Sequence, residues 1–143
     1  MSEREVPTGF ENLYRESNYV QLLGPLYHKR DGTGHIIGLR IAEKHCNTRG
    51  DVHGGVLSSI ADTAMGYNVA FSEEPPTSAV TASLTVDYLG RAAVGDWLEA
   101  HVNIEKKGKR LTFVTCTFYA GETYVGRASG VFHMLQKRVQ TSI

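Results

Sequence analysis

NTRGDVHGGVLSSIADTAMG, residues 47–66, divides into a turn and the opening of a long helix. Asn, Gly and Asp crowd its first half. These residues make turns through local hydrogen bonds or permissive backbone angles. From Gly54 an apolar stripe takes over. At about 100° per residue, Val56, Leu57, Ile60, Ala61, Ala64 and Asn68 share one broad face, with Ser58 and Asp62 off it. The helix is predicted to run to about Phe71, because Glu73-Glu74-Pro75-Pro76 forbids its continuation. A lone helix of small apolar residues must bury its stripe against a sheet.

The sheet is legible downstream. In AVTASLTVDYL, residues 79–89, Val80, Ala82, Leu84, Val86 and Tyr88 alternate with Thr81, Ser83, Thr85 and Asp87. In LEAHVNIE, Leu98, Ala100, Val102 and Ile104 alternate with Glu99, His101, Asn103 and Glu105. A period of two marks half-buried strands. RLTFVTCTFYA and TYVGRASGVFHML are rich in β-branched and aromatic residues. The connections AAVGD, KKGKR and AGE are short and contain Gly, which makes the strands antiparallel neighbours. Gly126 and Gly130 suggest a bulge or a close helix approach. GHIIGLRIAE, residues 34–43, reads as a strand before the helix. Phe10, Leu13, Tyr14 and Tyr19 suggest a short helix or extended arm, interrupted at Gly24-Pro25. The expected class is α+β, a long helix wrapped by a curved antiparallel sheet. Its expected bounds are an arm at 1–23, the domain at 24–138 and a tail at 139–143.

A chain of 143 residues suits one domain and leaves little room for a private catalytic cleft. Fifteen Lys plus Arg balance fifteen Asp plus Glu, which weighs against a nucleic-acid partner. No stretch approaches the roughly 18 apolar residues of a membrane helix. The first ten residues lack the apolar core of a signal peptide. Cys46 and Cys116 do not make a disulfide framework. A cytoplasmic protein with neither nucleic-acid nor membrane partner is expected.

The turn and helix resemble the signature of hotdog-fold acyl-CoA thioesterases of the phenylacetate-degradation type. Asn47, Gly50, His53, Gly54, Gly55 and Asp62 match that family's pattern, and the likeness extends over roughly residues 24–135. The resemblance implies that the Gly54 N–H polarises a thioester carbonyl. It implies Asp62 as nucleophile or general base, Asn47 orienting the carbonyl or the water, and Thr81 placing water. His53 either shapes the turn or takes part in catalysis. Gly55 opens the helix beside Gly54. The implied substrate is an acyl-CoA, with no metal or redox cofactor. His28, His35, His45, His101 and His133 offer His53 no metal-ligand spacing. Lys106, Lys107, Lys109 and Arg110 form a basic turn, either a plain solvated turn or a receiver of coenzyme A phosphates, with Arg91 and Ser83 as further candidates. YLGRAA stands where the family often reads Tyr-Leu-Arg-Pro-Ala, so the arginine is shifted and the proline missing. Tyr67 and Asn68 replace small residues, which implies a narrower or more polar acyl pocket.

Elementary chemistry agrees with these roles. Hydrolysis of a thioester builds negative charge on the carbonyl oxygen, which N–H donors stabilise. A helix N-terminus supplies such donors. Gly54 and Asp62, eight residues apart, are separated by about 12 Å along a helix at 1.5 Å per residue. A reacting thioester carbon needs its attacker within roughly 3–3.5 Å. One helix cannot serve both ends, whereas two antiparallel copies about a two-fold axis can. The expected unit is a homodimer with composite sites, Gly54 from one subunit and Asp62 from its neighbour, and the family resemblance implies a dimer of dimers. The alternatives are a non-catalytic acyl-CoA binder and a hotdog dehydratase.

Overall fold

The computed structural model describes residues 5–135. The expected tail at 139–143 and the last residues of the expected domain lie outside them. A short strand β1 (Glu11–Asn12) and helix α1 (Asn18–Leu23) precede the hairpin β2 (Tyr27–Asp31) and β3 (Gly34–Arg40). A 3-10 turn (Glu43–His45) leads to the long helix α2 (Gly54–Ala70). Four strands follow: β4 (Ala79–Tyr88), β5 (Trp97–Lys107), β6 (Leu111–Ala120) and β7 (Thr123–Met134). They form one antiparallel sheet in the order β1-β2-β3-β5-β6-β7-β4. The sheet wraps α2, which packs on β3 to β7. This is the predicted α+β architecture, with the helix ending where the prolines required.

Two features of the sheet differ from the sequence reading. The strand β2 was not anticipated. YHKRD is mostly charged because only Tyr27 and His28 are shielded, so no apolar alternation marks it. The arm is both of the forms suggested, an extended run followed by α1, which the Ser17 side chain caps by accepting from the Val20 N–H. The second difference lies in β4. Its simple alternation is broken by a bulge between Thr81 and Ser83. Thr81 pairs with buried Phe132, and Leu84 pairs with Gly130. Thr81 therefore faces inward with Leu84, Val86 and Tyr88, while Val80 and Ser83 face outward. One extra residue, Ala82, exchanges the faces of the strand.

The stripe on α2 is buried as expected: Leu57, Ile60, Ala61, Ala64 and Asn68 are inside, and Val56 is half-buried. A side chain added at Gly130 would meet the Met65 methyl at 3.0 Å, so this glycine is what lets helix and sheet approach. Asn68 commits its amide to the backbone. It accepts from the His35 N–H and donates to the His35 and Ala64 carbonyls, each at 2.9 Å. The pairing of β3 with β5 begins only at Ile37, so Asn68 completes the edge of β3 that β5 leaves bare. Cys116 is buried in the core, where the apolar surroundings push its thiol up to about 12, as suits an inert structural cysteine.

His28, His35 and His45 are buried, and burial holds all three below the ordinary imidazole range. His28 and His35 share an Nδ1···Nδ1 hydrogen bond of 3.0 Å, so one ring donates to the other. The Ala42 N–H donates to Nδ1 of His45, whose Nε2–H donates to the Leu23 carbonyl and ties α1 to the turn before α2. The unfolded chain takes up protons below about pH 6.5 that the folded chain refuses. The resulting stability is complete above that pH and lost as the pH falls through the lowered folded values. The urea midpoint is expected to drop between pH 7.5 and 5.5, and His35→Gln to narrow that drop. An equal drop in the substituted chain contradicts this account.

Candidate functional site

The turn before α2 is built by Asn47. Its Oδ1 accepts from the N–H groups of Arg49 (2.9 Å) and Asp51 (3.3 Å), while its backbone N–H donates to the Asp51 carbonyl. Gly50 takes φ +83°, which an L side chain resists. The Asn47 carboxamide oxygen is thus committed to the turn. Its Nδ2 has no hydrogen-bond partner among the described residues.

His53 is the N-cap of α2. Its Nδ1 accepts from the Gly55 N–H at 2.8 Å, and its carbonyl receives the N–H groups of Val56 and Leu57. A Cβ at Gly55 would sit 3.0 Å from that nitrogen, so the second glycine makes room for the cap. Because Nδ1 is an acceptor, the proton of the neutral ring resides on Nε2. The cap satisfies the helix donors beyond Gly54. The Gly54 N–H itself has no hydrogen-bond partner among the described residues, and the helix dipole adds positive potential there.

The carboxylate stands elsewhere. Asp62, half-buried, accepts from the Thr81 hydroxyl at 2.5 Å through Oδ1. The β4 bulge makes this contact possible, since regular alternation from Leu84 would turn Thr81 to the outer face. Thr81 and Asp62 open on a cavity of about 410 Å³, walled by Gly66, Tyr67, Phe71 and Phe132. Gly54 does not line it. The structure brings Asp62 and Thr81 together, gathers Asn47, His53, Gly54 and Gly55 at the other end of the half-helix, and does not join the two groups within one chain.

The candidate phosphate ligands separate in the same way. Arg91 pairs with Asp51 at 2.9 Å and so stands beside the Asn47 turn, largely exposed. Lys107 pairs with Glu73 at 3.1 Å and donates to the Ser72 carbonyl, which places the basic hairpin of Lys106, Lys107, Lys109 and Arg110 by the far end of α2. Ser83 lies on the outer face, away from Asp62. Tyr88 was not singled out by sequence. Its hydroxyl bonds Ser58 at 2.7 Å, and its ring would lie 3.3 Å from a Cβ at Gly54. Its parity on β4 puts it on the inner face, but nothing local tells which helical residue it covers.

Comparison with known proteins identifies the family and the fold. The chain belongs to the thioesterase superfamily, whose family model matches residues 49–133. A Pseudomonas aeruginosa protein named "Putative esterase PA0474" is 48% identical over 130 residues, covering 90% of this chain and 97% of that protein. Human acyl-coenzyme A thioesterase 13 is 23% identical over 99 residues, 68% of this chain and 70% of that one. The E. coli PaaI protein from the phenylacetic acid degradation operon superimposes with a TM-score of 0.77 at 23% identity, over 86% of this chain and 88% of that one. The fold is the hotdog, and the protein is an enzyme of the thioester hydrolase class.

Asp62→Asn is expected to lower thioester kcat/KM by about 10²–10⁴-fold, the range for a lost base or nucleophile. Thr81→Val, which removes one hydrogen bond to a charge, should cost roughly 10–100-fold. Both chains should keep the parental unfolding free energy in urea to within about 1 kcal/mol, since neither contact is in the core. Full activity in Asp62→Asn would remove Asp62 from the chemistry.

Proposed function

We propose that the protein hydrolyses an acyl-CoA thioester to a free acid and coenzyme A at a site shared by two subunits. The observation that carries this reading is the separation of the two halves of the site on one rigid helix. The unpartnered Gly54 N–H and the Thr81-bonded Asp62 are eight residues apart, about 12 Å along the axis. An antiparallel second copy of α2 places the Gly54 of one chain beside the Asp62 of the other.

The edge of the sheet supports such a pairing. β4 is the last strand, ten residues long, with one ladder side unpaired among the described residues. A long bare edge invites a further strand. Pairing β4 with the β4 of a second copy satisfies both edges and sets the two α2 helices side by side.

In the shared site the thioester oxygen accepts from the Gly54 N–H, where negative charge develops as the carbonyl is attacked. Asp62 attacks the carbonyl carbon itself or takes a proton from the water that does. Thr81 holds Oδ1 and leaves Oδ2 for that work. The carbon–sulfur bond breaks, and the thiolate of coenzyme A leaves and takes up a proton. When water attacks, its oxygen ends in the acid; when Asp62 attacks, water then cleaves the acyl–Asp62 anhydride to release the acid and restore the carboxylate. The His53 cap keeps the other first-turn donors occupied and so presents the Gly54 donor. Arg91, beside the Asn47 turn, is the cation we assign to a coenzyme A phosphate. The likeness to acyl-coenzyme A thioesterase 13 supports the substrate class.

The test uses two chains, each inactive alone. Asp62→Asn removes the attacking group. Gly54→Pro removes the N–H at the first helical position, where proline is tolerated, and the extended His53 (φ −67°, ψ 138°) accepts a following proline. After mixing and refolding, half the dimers are mixed and each holds one intact site. Coenzyme A release should return to about a quarter of the wild-type rate, as two-fold symmetry dictates. No recovery from mixed dimers contradicts the shared site, and no release by wild type from aryl, short or long acyl-CoA contradicts the hydrolase reading.

A further inference from the structure

The cavity beside Asp62 has a second charged wall that the proposed chemistry does not use. Arg15, from the arm ahead of α1, lines it together with Ser17. The arm is pinned on both sides of this residue. The Tyr14 N–H donates to the Tyr67 hydroxyl at 3.1 Å, and the Tyr19 hydroxyl bonds Ser59 at 2.7 Å, both partners being on α2. Arg15 stacks its guanidinium 5.4 Å from the centre of the Phe71 ring, a contact that orients the fork and leaves its N–H donors unused. No carboxylate pairs with it among the described residues, where the ion pairs engage Arg91, His101, Lys107 and Arg127. Among the described residues, Arg15 and Asp62 are the only charged ones on the cavity wall.

Building on the hydrolase reading, we infer that Arg15 is a specificity residue that receives an anionic group of the substrate while Asp62 acts on the thioester. A guanidinium held over an aromatic face at the wall of this cavity suits an oxyanion, which it can engage with two parallel N–H donors. Two parts of an acyl-CoA carry such a group: a carboxylate at the far end of the acyl chain, and the phosphates of the carrier. A neutral acyl chain alone gives this arginine nothing to bond.

Four thioesters separate the two sources: glutaryl and pentanoyl groups, matched in chain length, each on coenzyme A and on N-acetylcysteamine, which has no phosphate. The readout is the ratio of kcat/KM values in wild type, Arg15→Gln and Arg15→Lys, with the urea midpoint as a check on folding. If Arg15 reads the acyl end, wild type favours glutaryl over pentanoyl at least tenfold on both carriers. Arg15→Gln then brings that ratio near one, and Arg15→Lys restores part of it. If it reads the carrier, the ratio of coenzyme A to N-acetylcysteamine collapses instead, for both acyl groups. Either outcome supports an anion-reading Arg15. Equal losses on all four esters, or none, overturn it. Should wild type turn over none of the four and no aryl or long-chain acyl-CoA either, the hydrolase reading fails separately. Calorimetric binding of the same esters to Asp62→Asn, with and without Arg15→Gln, then decides the role of Arg15 by the same ratios.

Discussion

The rigidity of α2 constrains everything else in this protein. Seventeen residues of unbroken helix, Gly54–Ala70, fix the distance between a backbone donor at the first residue and a carboxylate two turns later. Neither end can move toward the other, because Ala61, Ala64 and Met65 are packed into the sheet and Gly130 lets the sheet close on them. A helix buried along one stripe is a ruler. The chemistry of a thioester needs donor and attacker within a few ångströms of the same carbonyl, so the ruler is too long for one chain. The shared site we propose is then a consequence of helix geometry.

Around that ruler each half of the site is prepared by a different device. At the N-terminus, His53 spends one ring nitrogen on the Gly55 N–H, and Asn47 spends its carbonyl oxygen on its own turn. These side chains shape the backbone, and the Gly54 N–H is the donor left over. At Asp62 the device is a register fault. Inserting Ala82 turns Thr81 inward to bond the carboxylate, while Leu84 and Val86 keep the strand seated on the core. The arm adds a third element, carrying Arg15 to the Phe71 end of the cavity and held there by Tyr14 and Tyr19.

How much of this the sequence carries varies from element to element. The helix could be read almost to the residue because its stripe repeats at helical period and its end is marked by two prolines. β5 reads as cleanly, since Leu98 and Ala100 are buried and Glu99 is not. β2 is not legible, because a strand near the sheet edge with charged side chains has no apolar alternation to show. In β4 the alternation was visible and misleading. A single bulged residue leaves composition and spacing unchanged while exchanging the faces on either side of it. Thr81 was nonetheless singled out through the family resemblance, which carries register information that hydrophobic pattern lacks.

The sequence by itself determined the turn, the long helix and the antiparallel strands, because these depend on neighbours within a few positions along the chain. Only the tertiary structure decided which groups meet. Thr81 and Asp62 are nineteen residues apart, Tyr88 and Ser58 thirty, and Asn68 and His35 thirty-three. Those contacts follow from how the sheet curves and where its register slips, and such choices are settled by the packing of the whole core rather than by any local run of residues.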